Sequence, residues 1–225
     1  MNKLILGDCY EEIKKIPDDS IDLVYIDIPY EFTKGGGCGS FGIKNRKYQQ
    51  ELADNGLIKG IDYSIYDELV RVSKDNYFFI WLSKAQIPYT LNYFLDKGCN
   101  FDILTWCKTN PVPKGNNNWL PDIEYCLFFR NKNAHRLNDG YDIKHKFYVS
   151  PSNQKDKRIY NHPTIKPLDL VKKHILHATQ PGDIVLDCFA GSGTTCVAAK
   201  ELGRQYIGIE INPDYYEIAK RRLCD

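Results

Sequence analysis

The stretch from Ile184 to Thr195, Ile-Val-Leu-Asp-Cys-Phe-Ala-Gly-Ser-Gly-Thr-Thr, constrains the fold of this chain more than any other. A short apolar run reads as a buried strand, a glycine-rich turn follows, and a helix opens directly behind it. Gly191 and Gly193 carry no Cβ and adopt positive φ freely, so a backbone there can come close to a bound ligand. Amides at the start of the helix turn their partial positive charge toward the same place. A second apolar run, Gln205–Ile209, ends in Glu210, an acid placed to grip two ribose hydroxyls. The spacing Gly-x-Gly-x-x-Cys lacks the third glycine of a dinucleotide fingerprint, and no Gly-Lys-Ser/Thr follows as a P-loop requires. The pattern is that of a nucleoside site, though a strand–helix turn without a ligand shares it locally.

Periodicity along the rest of the chain alternates strand and helix, which favours a mostly parallel sheet with helices on both faces. Further strands are expected at Leu4–Leu6, Asp22–Asp27, Tyr77–Leu82, Phe101–Cys107 and Ile123–Arg130, the last antiparallel at one edge. Helices are expected at Cys9–Ile16, Asp62–Ser73, Ile87–Lys97, Leu168–Ala178 and Pro213–Leu223, with Asn212 capping the last. Residues 1–225 read as a single domain, long enough for a sizeable core. Two stretches, 31–60 and 131–160, fall outside the alternation. The first holds Gly35-Gly36-Gly37-Cys38-Gly39. The second sets Lys132, Arg136, Lys144, Lys146, Lys155, Lys157 and Arg158 against only Asp139, Asp142 and Asp156. A local basic face of that kind can hold a phosphate backbone although the whole chain carries a formal charge of only +1.

The eight cysteines show no Cys-x-x-Cys pair and no Cys/His cluster with zinc spacing, so no metal is expected. No apolar run approaches a membrane span, and the apolar part of the Met1–Asp8 start is too short for a signal peptide. A cytoplasmic protein without a membrane partner is the expectation.

The other end of the chain narrows the chemistry. Val24-Tyr25-Ile26-Asp27-Ile28-Pro29-Tyr30 is an apolar strand closing on Asp-Ile-Pro-Tyr. Together with Phe189-Ala-Gly-Ser-Gly193, it resembles the amino-methyltransferases that act on adenine N6 or cytosine N4 in DNA. Leu4-Ile-Leu-Gly-Asp-Cys9, Trp106-Cys-Lys-Thr-Asn-Pro111, Asp122–Phe129 and His162-Pro-Thr-Ile-Lys-Pro167 resemble further segments of that family, so the likeness covers most of the chain. The resemblance implies a Rossmann-like, doubly wound α/β fold: a mostly parallel seven-stranded sheet with one antiparallel strand, circularly permuted so that the target-base motif precedes the cofactor motif. The expected spatial order, naming strands by their first residue, is Leu4, Gln205, Ile184, Asp22, Tyr77, Ile123, Phe101. A ligand would then bind at the carboxyl ends of the strands.

The same resemblance implies S-adenosylmethionine as cofactor, S-adenosylhomocysteine as product, and double-stranded DNA as partner. Stretches 31–60 and 131–160 become the DNA-contacting inserts. A bacterial or phage enzyme of restriction-modification or solitary type fits, and a homodimer is an implication of the family alone. The catalytic set is Asp27, Ile28, Pro29 and Tyr30. The Asp27 carboxylate and Ile28 carbonyl would accept both hydrogens of the amino group, localising its lone pair, while Tyr30 stacks on a base swung out of the duplex. The cofactor set is Asp8, Cys9, Thr164, Lys166, Asp187, Phe189, Ala190, Gly191, Ser192, Gly193, Thr194 and Glu210. Plainer roles stand beside these: Asp8 as cap of the helix at Cys9, Lys166 as a helix-start residue, Tyr30 as packing, Asp187 as a loop-ordering acid. Trp106 and Lys108 either support the base pocket or touch it.

Asp in the first motif position leans toward adenine N6 over cytosine N4, as a family tendency. Ile28 stands where the family usually has proline, so a φ restraint is lost and an extra N–H must find a partner. A catalytically weak DNA-binding relative is the reading that this departure favours. Pro-Cys, the nucleophile motif of C5-cytosine enzymes, is absent from the sequence, which argues against that chemistry. A nucleotide-dependent oxidoreductase is the remaining alternative.

Overall fold

The computed structural model describes residues 2–31, 60–111, 119–132, 134, 140–160 and 164–224. The glycine run at 35–39, Arg136 and Asp139 of the basic segment, and His162 and Pro163 lie outside them. The described strands are β1 (Lys3–Leu6), β2 (Leu23–Asp27), β3 (Phe78–Leu82), β4 (Asn100–Lys108), β5 (Ile123–Arg130), β6 (Phe147–Ser150), β7 (Ile184–Asp187) and β8 (Gln205–Glu210). The helices are α1 (Cys9–Glu12), α2 (Ile65–Val72), α3 (Ile87–Asp96), α4 (Gln154–Tyr160), α5 (Leu168–Ala178), α6 (Thr194–Glu201) and α7 (Pro213–Cys224).

One sheet runs β1-β8-β7-β2-β3-β5-β4-β6. Pairing is parallel from β1 through β3, and β5 runs antiparallel to both β3 and β4. The seven expected strands take the expected order. Two corrections follow. The antiparallel strand is interior, because β4 and β6 lie beyond it. The sheet has an eighth strand, β6, taken from within the basic segment and paired parallel to β4, with Thr105↔Phe147 and Cys107↔Val149 in register. The Phe-Tyr-Val-Ser alternation suits an edge strand, but it becomes one only because β4 supplies carbonyls and amides along its open side.

Apolar runs pack both faces of the sheet. Val24, Ile26, Phe78, Ile80, Leu127 and Phe129 meet Ile13, Leu69, Val72 and Phe94 on one side. Their neighbours Leu23, Tyr25, Phe79, Trp81 and Phe128 meet Leu170, Val171, Ile175 and Ala198 on the other. Strands covered on both faces carry continuous apolar sequence, which is what β2 and β3 show. Each fully buried side chain of this size contributes about 1.5–3 kcal/mol. β1 pairs along β8 and α7 packs back over β1, so the two ends of the chain share one edge of the sheet. Asn212 caps α7 as expected, its Oδ1 accepting from the amides of Asp214 (2.9 Å) and Tyr215 (3.3 Å).

His174 lies inside the second layer, its ring stacked 4.7 Å from Phe79 at 9° and its Nδ1 3.4 Å from the Tyr25 hydroxyl. Burial, then the nearby Lys173 and His177, pull its pKa down to about 3. The unfolded chain protonates this ring near its ordinary value of 6.5. Between those values only the unfolded state holds the proton, so this residue's contribution to stability falls as pH drops, by about 1.4 kcal/mol per unit. Urea titrations at pH 7 and pH 5 should therefore show the wild type losing about 2 kcal/mol more than His174→Gln. Parallel losses in the two proteins would overturn this assignment.

Candidate active site at the carboxyl ends of the strands

β2 and β7 are adjacent and parallel, so the tip after Asp27 and the turn after Asp187 leave the sheet at the same edge. β8 and β1 continue that edge, with Glu210 opposite Leu6 in register and Asp8 just beyond.

At the β2 tip, the extra N–H of Ile28 finds its partner, donating to the Trp81 carbonyl at 3.1 Å. The β2–β3 ladder thus continues past Asp27, and the Ile28 side chain is fully buried in the first core layer. Where proline would restrain φ, pairing with β3 restrains it instead, and the extra N–H is not left unpaired. The Pro29 carbonyl accepts from Gln86 Nε2 at 3.0 Å, and Gln86 Oε1 in turn accepts from the Ser83 amide. Gln86 is completely buried and holds the tip from behind.

Lys166 stands at the centre of this tip. Its Nζ lies 2.5 Å from Asp27 Oδ2, 3.0 Å from Glu124 Oε2 and 3.4 Å from the Tyr30 hydroxyl. It also sits 5.0 Å over the Trp81 ring and 5.7 Å over the Tyr30 ring. Glu124 Oε1 takes Lys108 Nζ at 2.5 Å, so Lys108, Glu124, Lys166 and Asp27 form a chain of alternating charge. Burial pulls the Lys166 pKa down, but Asp27 and Glu124 outweigh it and hold the ammonium well above its ordinary range. Burial likewise pushes Glu124 up, and Lys166 and Lys108 more than reverse this, to about 2. Asp27 is raised by burial, with Lys166 offsetting part of the rise and Glu124 adding to it. Its Oδ1 is buried with no hydrogen-bond partner. Trp106 is buried beneath Lys108, its Nε1 donating to Ser150 Oγ at 2.9 Å, and so supports the pocket.

At the β7 turn, Gly191 and Gly193 both take positive φ, +52° and +76°. Gly191 N donates to Glu210 Oε2 at 2.6 Å, and Asn212 N to Glu210 Oε1 at 2.8 Å. Glu210 is buried, and its pKa is raised by that burial against the pull of these amides. Asp187 orders the turn, its Oδ1 accepting from Phe189 N at 3.0 Å, and burial pushes it up to about 7. Ala190 N donates to the Ile209 carbonyl at 3.0 Å. Ser192 and Thr194 turn their hydroxyls away from the edge, to Arg222: its Nη1 donates to Ser192 O and Oγ at 2.8 Å and to Thr194 Oγ1 at 2.9 Å. Asp8 is exposed and caps α1 by accepting from Tyr10 N at 2.9 Å, and Cys9 is buried, its thiol pushed up to about 12. Thr164 is exposed two residues before Lys166.

Glu124, Gln86 and Arg222 escaped the sequence reading. Glu124 had a signal, a lone acid inside the apolar run of β5. Arg222 had another: it follows Tyr215, Ile218 and Ala219 at helical spacing, at a core-facing position of α7. Among the described residues no helix is long and apolar enough to cross a membrane, and no group of three His, Cys, Asp or Glu side chains is placed for a metal ion.

The profile of the DNA methylase family, N6/N4 methyltransferases, matches residues 21–221. The chain belongs to this family. It is 31% identical to the type II methyltransferase M2.DpnII of Streptococcus pneumoniae, over 99% of this chain and 90% of that protein. It is 32% identical to the type II methyltransferase M.HinfI of Haemophilus influenzae, over 99% and 68%. Among solved structures, the M1.HpyAVI–SAM complex superposes with a TM-score of 0.72 at 27% identity, covering 99% of this chain and 100% of that one. The cytosine-N4-specific PvuII DNA methyltransferase shares the fold, with a TM-score of 0.73 at 18% identity.

Proposed function

We propose that this protein transfers a methyl group from S-adenosylmethionine to the exocyclic amino nitrogen of adenine in double-stranded DNA. The observation that carries the reading is Asp27 Oδ1, a buried carboxylate oxygen without a partner, at the same sheet edge as the glycine turn and Glu210. A buried acceptor left unpaired costs about 1–3 kcal/mol, and an amino hydrogen entering the cleft would remove that cost. The aspartate at the first motif position supports adenine over cytosine.

The residues present fit the cofactor. Positive φ at Gly191 opens the turn to a close approach, the Glu210 carboxylate is already oriented by two amides, and Asp187 fixes the backbone between them. Glu210 would hold the ribose hydroxyls, the Asp8–Cys9 turn the adenine, and the 187–193 backbone with Thr164 the remainder; Ser192 and Thr194 act through their main chain. When bound, the cofactor supplies an electrophilic methyl group on a sulfonium. The chain's part is positional. Asp27 Oδ1 and the Ile28 carbonyl accept the two amino hydrogens and aim the nitrogen lone pair, and Tyr30 offers its ring to the flipped base. The exposed Lys144, Lys146, Lys155 and Arg158 give the 131–160 insert its phosphate contacts, with the 31–60 insert beside the β2 tip in sequence.

The test is incubation with labelled cofactor and unmethylated genomic DNA, then nucleoside analysis. N6-methyladenine is the expected product. N4-methylcytosine would move the reading to the other base, and no label in DNA would end it.

A further inference from the structure

Lys166 makes its close contacts with Asp27, Glu124, Tyr30 and Trp81, all at the base tip, and none with Asp187, Glu210 or the glycine turn is seen. We propose that Lys166 is a positioning residue of the base site: gripped by Glu124, its ammonium holds Asp27 Oδ2 so that Oδ1 remains the acceptor for the target amino group. The inference rests on the reading of methyl transfer to a base amino group and deepens it.

The geometry gives each member of the chain a task. Two parallel grips fix Lys166 Nζ, the Glu124 carboxylate at 3.0 Å and the Trp81 face at 5.0 Å. Glu124 is itself pinned at its other oxygen by Lys108, 2.5 Å away. The Asp27 carboxylate, with one oxygen tied, loses its rotational freedom, and the untied oxygen keeps one direction. Without the ammonium, a carboxylate in this partly buried place would be free to turn, and burial would drive it toward the protonated form, in which one oxygen becomes a donor. The groups that face this pair are Tyr25 from β2, Tyr30 from the tip, Lys108 from β4, Glu124 and Cys126 from β5, Lys157 from α4 and Asp187 from β7. Of these, Glu124 acts on Asp27 with the sign opposite to Lys166, raising its pKa where Lys166 lowers it.

Opposite signs make the role separable from that of a structural pillar. Single-turnover methylation of unmethylated genomic DNA at saturating cofactor, followed from pH 5 to 9, is compared for wild type, Lys166→Met, Lys166→Arg and Glu124→Gln, with calorimetry of S-adenosylmethionine binding. Lys166→Met should lose on the order of 10²-fold in rate at pH 7, and its acid limb should move up by roughly 1–3 units. Cofactor affinity should stay as in wild type. Lys166→Arg should recover most of the rate and return the limb. Glu124→Gln should move the limb down, since it removes the charge that raises Asp27 and leaves the ammonium to Asp27 alone.

Limbs that stay at the wild-type position in both Lys166→Met and Glu124→Gln overturn the proposal. So does a Lys166→Met protein with weakened cofactor binding and an intact saturated rate, which would return Lys166 to the cofactor. If Lys166→Met does not fold, Glu124→Gln decides: a limb moved down supports the inference, and one unmoved or moved up overturns it. A wild type that binds cofactor yet methylates no DNA overturns the functional reading itself, and this is seen before any variant is compared.

Discussion

Asp27→Ala is expected to abolish methyl transfer while leaving S-adenosylmethionine affinity and the fold intact. The carboxylate is at the carboxyl end of β2, and the apolar burial of that segment belongs to Ile26 and Ile28 on either side. Removing it leaves Lys166 with Glu124 at 3.0 Å, so no buried cation is stranded. Burial already opposes the charge on Asp27, and an alanine relieves that opposition. Stability should therefore change little. Activity depends on aiming an amino lone pair that is otherwise delocalised into the base ring, and loss of a group of that kind costs about 10²–10⁴ in rate. Asp27→Asn separates two parts of the effect: it keeps an acceptor oxygen without the charge, so it should retain more rate than alanine if hydrogen bonding alone orients the base. The measurements are single-turnover rate, calorimetric affinity and thermal midpoint on the same preparations. An alanine variant at full rate would sink the mechanism, and one that no longer binds cofactor would move Asp27 to the other half of the site.

Strand positions were legible because β2, β3, β5, β7 and β8 each carry a run that must be buried, whereas their spatial order came from the resemblance to the amino-methyltransferases, not from the runs themselves. β6 was not legible. Phe147 and Val149 are 53% and 56% exposed, so no core demand marks the segment, and its lysine flanks read as a solvated loop. It is a strand only by virtue of β4, a partner some forty residues earlier. The same limit governs the site. Asp27, Glu210 and the glycine turn are visible locally because each directly follows or closes its own apolar strand. The pairing of Lys166 with Asp27 spans 139 positions, and only the start of α5 beside the β2 and β5 ends brings them together. Lys166 was read with Thr164 because both stand in the segment that resembles the family's cofactor side, and nothing in that segment announces the two carboxylates its ammonium meets in space. Arg222 shows a helical register that was readable and a purpose that was not, since the hydroxyls it binds lie 28 and 30 residues away.

Gly193 is where a local reading and the packing lead to different expected results. The sequence argument keeps this position free of a Cβ so that a ligand can approach. In the structure a Cβ there would lie 2.8 Å from Ala219 Cβ and 3.1 Å from Ala219 Cα, so the side that lacks room faces α7. Gly193→Ala should then destabilise the protein before any ligand is added. The left-handed φ of +76° costs about 1–2 kcal/mol for a residue with a side chain. Forcing α7 outward adds about 1–3 kcal/mol of overpacking. For a chain of this size each kcal/mol lowers Tm by about 2–4 °C, so a fall of roughly 5–15 °C is expected. Cofactor affinity should weaken as a consequence, because an outward shift of α7 pulls Arg222 off Ser192 and Thr194 and loosens the turn. Ala219→Gly carries the decisive comparison. By itself it costs about 1 kcal/mol of helix propensity, yet in the Gly193→Ala background it removes the Cβ that the new methyl strikes. The two substitutions should therefore be less damaging together than their sum, with a coupling of about 1 kcal/mol or more in a double-mutant cycle. A Gly193→Ala protein that melts with the wild type but binds cofactor poorly would restore the ligand-approach reading, and a large loss with no coupling to Ala219 would assign the whole effect to backbone strain.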